Sequence, residues 1–125
     1  MKTRYTDDHE WASHEDGDIV TIGITDYAQG QLGDIVYVEL PDIGREVEKG
    51  EDVAVIESVK AAGEVKSPVG GVVEAVNEEL DERPELINES AEEAGWVCRI
   101  RCTSNDDFDS LMDADQYRSL VDSLS

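Results

Sequence analysis

Basic residues are scarce in this chain of 125 residues: lysine occurs only at Lys2, Lys49, Lys60 and Lys66, and ten Lys and Arg face 31 Asp and Glu. The formal net charge is −21. Phosphate contacts need a basic surface, so direct binding to nucleic acid is not expected. Aromatic residues make up 6% of the chain, and the core must therefore be built from Val, Ile, Leu and Ala. No apolar run is long enough to span a membrane. The opening Met1-Lys2-Thr3-Arg4-Tyr5-Thr6-Asp7-Asp8 has no stretch of the kind a signal peptide needs. A soluble cytoplasmic protein with no membrane partner is the expectation. There is no P-loop, no G-x-G-x-x-G and no G-x-S-x-G. The histidines are His9 and His14 alone, and neither has a nucleophile or metal ligand beside it in the sequence. Acidic residues are too numerous for any pair to stand out as an acid/base dyad. An enzyme active site is poorly supported, and a metal site is not indicated.

Two cysteines are present, Cys98 and Cys102. Their segment, Trp96 to Cys102, alternates as a half-buried strand does. Four residues along a strand span about 13 Å, too far for a disulfide. The spacing is not C-x-x-C, so a redox pair or zinc site is not indicated. Small buried side chains are the preferred reading. The acid is spread along the whole chain rather than gathered in a tail. That pattern points to adaptation to a salt-rich, halophilic cytoplasm, where salt screens the self-repulsion. The plainer alternative is a solvated acidic surface that keeps the protein soluble.

The length suits one domain over residues 1–125. Short β-branched runs dominate. Ile19 to Ile24, Ile35 to Leu40, Val53 to Glu57, Glu64 to Lys66, Val72 to Val76 and Trp96 to Cys102 read as strands. Thr25 and Asp26 offer caps for a short helix from Tyr27 to Leu32, which Gly33 is placed to end. From Asn77 to Glu93 the chain is polar and acidic, broken by Pro84, with Leu86-Ile87 as a short edge contact. Tyr117, Leu120, Val121 and Leu124 share one face of a C-terminal helix capped by Asp113 and packed on the strands. The class is mainly β, with short peripheral helices and a C-terminal helix.

Turns and valine-rich strands flank Lys60 on both sides, the pattern of a hairpin with Lys60 near its tip. Ser58, Val59, Ala61 and Ala62 are compact neighbours. A lysine amine on such a turn can be acylated and still be reached by other enzymes, which a guanidinium could not offer. An ordinary exposed lysine is the bland alternative. The surrounding words weigh against it. His9-Glu10-Trp11, Val20 to Gln29, Leu32 to Pro41, Glu57-Ser58-Val59-Lys60-Ala61-Ala62, Ser67-Pro68-Val69, Val73 to Asn77, Pro84 to Asn88 and Gly95-Trp96 follow one another in order. Together they resemble the H protein of the glycine cleavage system over nearly the whole chain.

The resemblance implies a barrel-sandwich hybrid of the lipoyl/biotinyl-domain type. It implies a non-catalytic carrier with lipoate attached covalently to Lys60. Glu57 matches a position associated with recognition by the lipoylating enzyme, and Gly50 and Gly71 match turn glycines that set the hairpin. Glu10, with His9, matches a cleft-side segment where the loaded arm folds back, and Glu64 stands where an Asp of that cleft is common. Gly63-Glu64 replaces a frequent Ser-Asp, Asp8 a frequent small hydroxyl residue, and Lys66 a polar or aromatic one. The implied partners are glycine decarboxylase with pyridoxal phosphate, aminomethyltransferase, dihydrolipoyl dehydrogenase and a lipoylating enzyme. The aminomethyl group of glycine would pass from the first to the second by way of the arm. Two relatives of the fold offer alternatives: a lipoate relay protein, and a biotinyl carrier, against which Val59 and Ala61 argue because Met usually flanks that lysine.

Overall fold

The β-branched runs do form strands. The computed structural model describes residues 2–14, 17–103 and 105–124. Strands β1 (Lys2–Tyr5), β2 (Glu10–His14) and β3 (Ile19–Ile24) form a meander. Helix α1 (Asp26–Leu32) follows, then β4 (Ile35–Glu39), the two-residue β5 (Glu46–Val47), β6 (Asp52–Ser58), β7 (Ala62–Lys66) and β8 (Gly71–Val76). Short helices α2 (Glu79–Glu82) and α3 (Leu86–Ser90) precede β9 (Cys98–Cys102), and α4 (Asp106–Asp109) and α5 (Ala114–Leu124) complete the order. The strands make a six-stranded sheet, in the order β1-β2-β3-β9-β8-β5, and a three-stranded sheet, β4-β6-β7. All named pairings are antiparallel.

Each sheet turns one face inward, as a period of two requires. Ala12, Val20, Ile22, Val73 and Ile100 of the larger sheet share one buried cluster with Val38, Ala54, Ile56 and Val65 of the smaller. Each fully buried Val or Ile contributes roughly 1.5–3 kcal/mol, so this cluster holds the two sheets together. The barrel-sandwich hybrid expected from the sequence is this two-sheet, mainly β arrangement with short helices outside it.

Local chemistry explains the helices. Thr25 caps α1, its hydroxyl accepting from the Ala28 N–H at 3.2 Å. Asp113 Oδ1 accepts from Gln116 N at 2.8 Å while Gln116 Oε1 accepts from Asp113 N at 2.9 Å. That reciprocal pair satisfies two donors at the start of α5. The apolar face of α5 packs most closely at Tyr117, which is buried and stacks on Tyr5; Leu120 and Val121 are half-buried, and Leu124 at the end is 53% exposed. No helix among the described residues is long and apolar enough to cross a membrane.

Several expectations need correction. Leu86 and Ile87 are not an edge contact; they are the buried residues of α3. The acidic segment therefore holds two short helices, anchored by Leu80, Leu86 and Ile87. The strand expected from Trp96 begins at Cys98, because the Trp96 N–H closes a turn on the Glu93 carbonyl. Gly50 has φ of 86° and serves a turn before β6. Gly71 does not: it is the first residue of β8, where any Cβ would collide with the Arg101 carbonyl of β9. Cys98 and Cys102 are free and buried, and burial pushes their thiols up to about 12 and about 11, which leaves them unreactive.

Candidate functional site

β6 and β7 pair from Asp52 opposite Lys66 to Glu57 opposite Ala62. The four residues Ser58 to Ala61 close this hairpin. Ser58 ties the turn from within. Its N–H and its hydroxyl both donate to the Ala61 carbonyl, at 2.7 and 3.0 Å, and its hydroxyl accepts from the Ala61 N–H at 3.0 Å. From outside, the Val59 N–H donates to the Asp34 carbonyl at 3.0 Å. Lys60 is exposed on this fixed turn, beside a Val59 that is 70% exposed. A flexible stem on a rigid backbone suits an amine that enzymes must reach, and small neighbours leave the approach open. These residues fit a covalently attached acyl arm.

Glu57 and Glu64 lie on the outer face of the small sheet. Glu57 stands opposite Tyr37 on one side and Ala62 on the other, and Glu64 stands opposite Val55. Both carboxylates are exposed. The structure thus brings Lys60, Glu57 and Glu64 together on one hairpin.

Glu10 sits elsewhere, at the base of the same hairpin. It is only 3% exposed. Its Oε1 accepts from the Thr6 hydroxyl at 2.6 Å, and its Oε2 from the Lys66 backbone N–H at 3.3 Å. It borders a cavity of about 300 Å³ whose walls include Asp8, Lys49, Lys66, Ser67 and Met112. Burial pushes the Glu10 carboxyl up to about 7 from 4.5; the Thr6 and Lys66 hydrogen bonds and the Lys66 charge pull it down, and Asp8 adds to the rise. A buried acid opening onto a cavity this close to β7 is a ready partner for a cation or a hydrogen-bond donor brought there.

His9 is adjacent in sequence but faces another way. Its Nδ1 lies 2.8 Å from the Tyr117 hydroxyl, which lies 2.7 Å from Thr25 Oγ1, and its ring tilts against Tyr27. Its backbone has φ of 70°, an uncommon conformation for a residue with a Cβ. The surrounding bonds hold it: its N–H donates to the Thr6 carbonyl and its carbonyl accepts from Thr25 N–H. His9 therefore shapes the turn that delivers Glu10, and it does not line the Glu10 cavity. Sequence reasoning missed Thr6, Ser58 and Asp34. Ser58 could have been found, since a short hydroxyl before a two-residue tip is a known turn signal. Asp34 acts through its backbone, and nothing in its side chain announces that. Among the described residues, no group of three or more His, Cys, Asp and Glu is placed to hold a metal ion.

Comparison with known proteins agrees with this geometry. A family model described as Glycine cleavage H-protein matches residues 3–124. The glycine cleavage system H protein of Rhodospirillum rubrum is 53% identical over 123 residues, covering 98% of each chain. That of Thermus thermophilus is 51% identical over 119 residues, covering 95% of this chain and 92% of its own. The crystal structure of a glycine cleavage system H protein from Mycobacterium marinum superposes with a TM-score of 0.85 at 31% identity, over 94% of each chain. With the family model spanning residues 3–124 and relatives about half identical over nearly the full length, the chain belongs to the glycine cleavage H-protein family.

Proposed function

We propose that this chain is the lipoyl carrier of the glycine cleavage system, a single domain with lipoate joined in amide linkage to the Nζ of Lys60. The observation that carries the reading is an exposed lysine on a turn fixed by Ser58 and by the Asp34 carbonyl. When bound, lipoate supplies a disulfide that is reduced as it takes up the aminomethyl group. The chain itself presents, positions and shelters. Lys60 presents the arm to glycine decarboxylase, aminomethyltransferase and dihydrolipoyl dehydrogenase in turn. The Glu10 cavity at the base of the hairpin is where the loaded arm rests, beside a buried carboxylate. Glu57 contributes to recognition by the lipoylating enzyme, and Glu64 lies on the face between tip and cavity.

Intact-mass spectrometry of the native protein tests the attachment. One lipoyl adduct is expected, and Lys60→Arg is expected to fold as the wild type does and to carry none. Glycine–bicarbonate exchange with the partner decarboxylase should vanish with the adduct. Exchange activity that survives in Lys60→Arg, or an adduct on another lysine, refutes the reading.

A further inference from the structure

We propose that Asn88, on helix α3, is a positioning residue for Lys60, acting through a platform made by the loop between α1 and β4. The carboxamide of Asn88 is used on both sides. Its oxygen accepts from the Ile35 N–H at 2.8 Å. Its nitrogen donates to the Gly33 carbonyl and to Gln29 Oε1, each at 2.9 Å. One side chain thus pins the end of α1, the loop and the start of β4. Within that loop, between the two pinned residues, the Asp34 carbonyl accepts the Val59 N–H. This is the bond that seats the lysine turn from outside the hairpin. The chain of contacts runs from Asn88 to the backbone of residues 33–35, then to Val59, then to Lys60.

The platform also touches the lysine itself. A Cβ built on Gly33 would stand 3.2 Å from Lys60 Cε, so the stem lies across the bare face of the glycine. Gly33 has φ of 82° and ψ of −153°, a combination that is essentially restricted to glycine. Leu32 packs alongside, its Cδ2 at 3.6 Å from the Cβ position of Gly63 on β7. A loop in an unusual conformation needs its polar backbone groups fixed. Asn88 fixes two of them from 53 and 55 residues away in the sequence. α3 is held in turn by its buried Leu86 and Ile87. The consequence is that a residue of the acidic segment sets how the turn is presented to the lipoylating enzyme. This inference rests on Lys60 being the attachment point, but half of its test does not.

The test compares wild type with Asn88→Ala and Asn88→Asp. Asp is close in shape and keeps the acceptor for Ile35, but it loses both donors, so it serves where the Ala variant folds poorly. The first readout is amide hydrogen exchange at Val59, referenced to Ile56 in the same hairpin. The second is the rate of acylation of Lys60 by a lipoylating enzyme with lipoate and ATP. Val59 exchange is expected to speed up at least tenfold relative to Ile56 in both variants. KM for the protein substrate is expected to rise several-fold, with kcat nearly kept, because the chemistry at Nζ is untouched while the presented turn is less populated. A purely structural role would lower the melting temperature and leave both ratios where they were. Folded variants with unchanged Val59 exchange, or with faster exchange and unchanged KM, overturn the proposal. Absence of any acylation at Lys60 in the wild type would instead refute the attachment reading, and the exchange comparison would still decide whether Asn88 seats the turn.

Discussion

Glu10→Gln should change how stability depends on pH, and the size of the change follows from where the carboxyl sits. Glu10 is 3% exposed, and burial pushes it up to about 7 from 4.5. Between these two values the unfolded chain has given up the Glu10 proton while the folded chain keeps it. The folded state then binds more protons, so stability falls as pH rises through this window. The fall is complete above about 7, and below 4.5 it is absent. At about 1.4 kcal/mol per pH unit the gap amounts to about 3 kcal/mol. For a chain of this length, with an unfolding entropy of about 2 cal/mol/K per residue, that corresponds to about 10 °C in melting temperature. Glutamine cannot ionise and removes the dependence. It also loses one of the two acceptor contacts, to Thr6 or to the Lys66 N–H, which costs about 1–2 kcal/mol at every pH. The informative quantity is thus the difference in pH dependence, in which that fixed cost and the titration of all other carboxylates cancel.

Thermal melts of both proteins at pH 5 and pH 8, at one ionic strength, supply it. The wild type should lose about 2–3 kcal/mol more than Glu10→Gln across that interval. Parallel curves would show that Glu10 titrates as an ordinary glutamate and that its cavity is wet. Under the carrier function proposed above, the cost has a use. An amine brought into the cavity on the arm supplies the charge that burial denies Glu10, so a group that destabilises the empty protein at neutral pH becomes a counter-ion for the loaded one.

Two further outcomes are expected. Gly71→Ala forces a Cβ onto the Arg101 carbonyl and Ile100 Cγ2 of the neighbouring strand and should cost about 2–3 kcal/mol by denaturant titration, whereas Gly30→Ala, with nothing within 4 Å in helix α1, should stabilise by about 0.5–1 kcal/mol; equal effects would refute the collision. With a net charge of −21, the melting temperature should climb by several degrees as sodium chloride is raised from low to molar concentration, and a flat profile would remove the case for adaptation to a salt-rich cytoplasm.

What the sequence made legible was local. Thr25, Gly33 and Asp113 mark helix ends by their own chemistry, and the valine-rich runs alternate as strands must. Lys60 stood out through its frame: turns and valine-rich strands on both sides, and the word from Glu57 to Ala62 within a longer ordered series. The failures share another cause. β1 reads Lys2-Thr3-Arg4-Tyr5, with no apolar pattern, and exists because β2 offers it an edge. α2 and α3 have no capping side chains, and they form because Leu80, Leu86 and Ile87 have a core to enter. Glu10 reads as one more surface acid in a chain full of them. Its burial depends on Thr6, on the backbone of Lys66 and on a cavity wall from residues 110–112. Thr6 is only four residues from Glu10, but Lys66 and the 110–112 wall lie far along the chain, and no short window of sequence contains them with Glu10.

The scarcity of lysine, which first drew notice to Lys60, turns out to be the weaker half of the case for it. Lys49 donates to Ser110 Oγ at 2.8 Å, and Lys66 stands 3.9 Å from an Asp52 carboxylate beside the Glu10 cavity. Lys2 lies on β1, paired with His14. All four are primary amines, so the type of group does not choose among them. Presentation does: Lys2 and Lys66 lie within paired strands and Lys49 is engaged by Ser110, whereas Lys60 is exposed at the tip of a hairpin. An enzyme that acylates a lysine on a mobile segment must pay to immobilise it, whereas the turn from Ser58 to Ala61 arrives already fixed by Ser58 from within and by the platform of residues 33–35 from beneath. Scarcity removes competitors and geometry makes the selection. It follows that transplanting a lysine to an equally exposed but unpinned loop of this chain would add an amine without adding an attachment site.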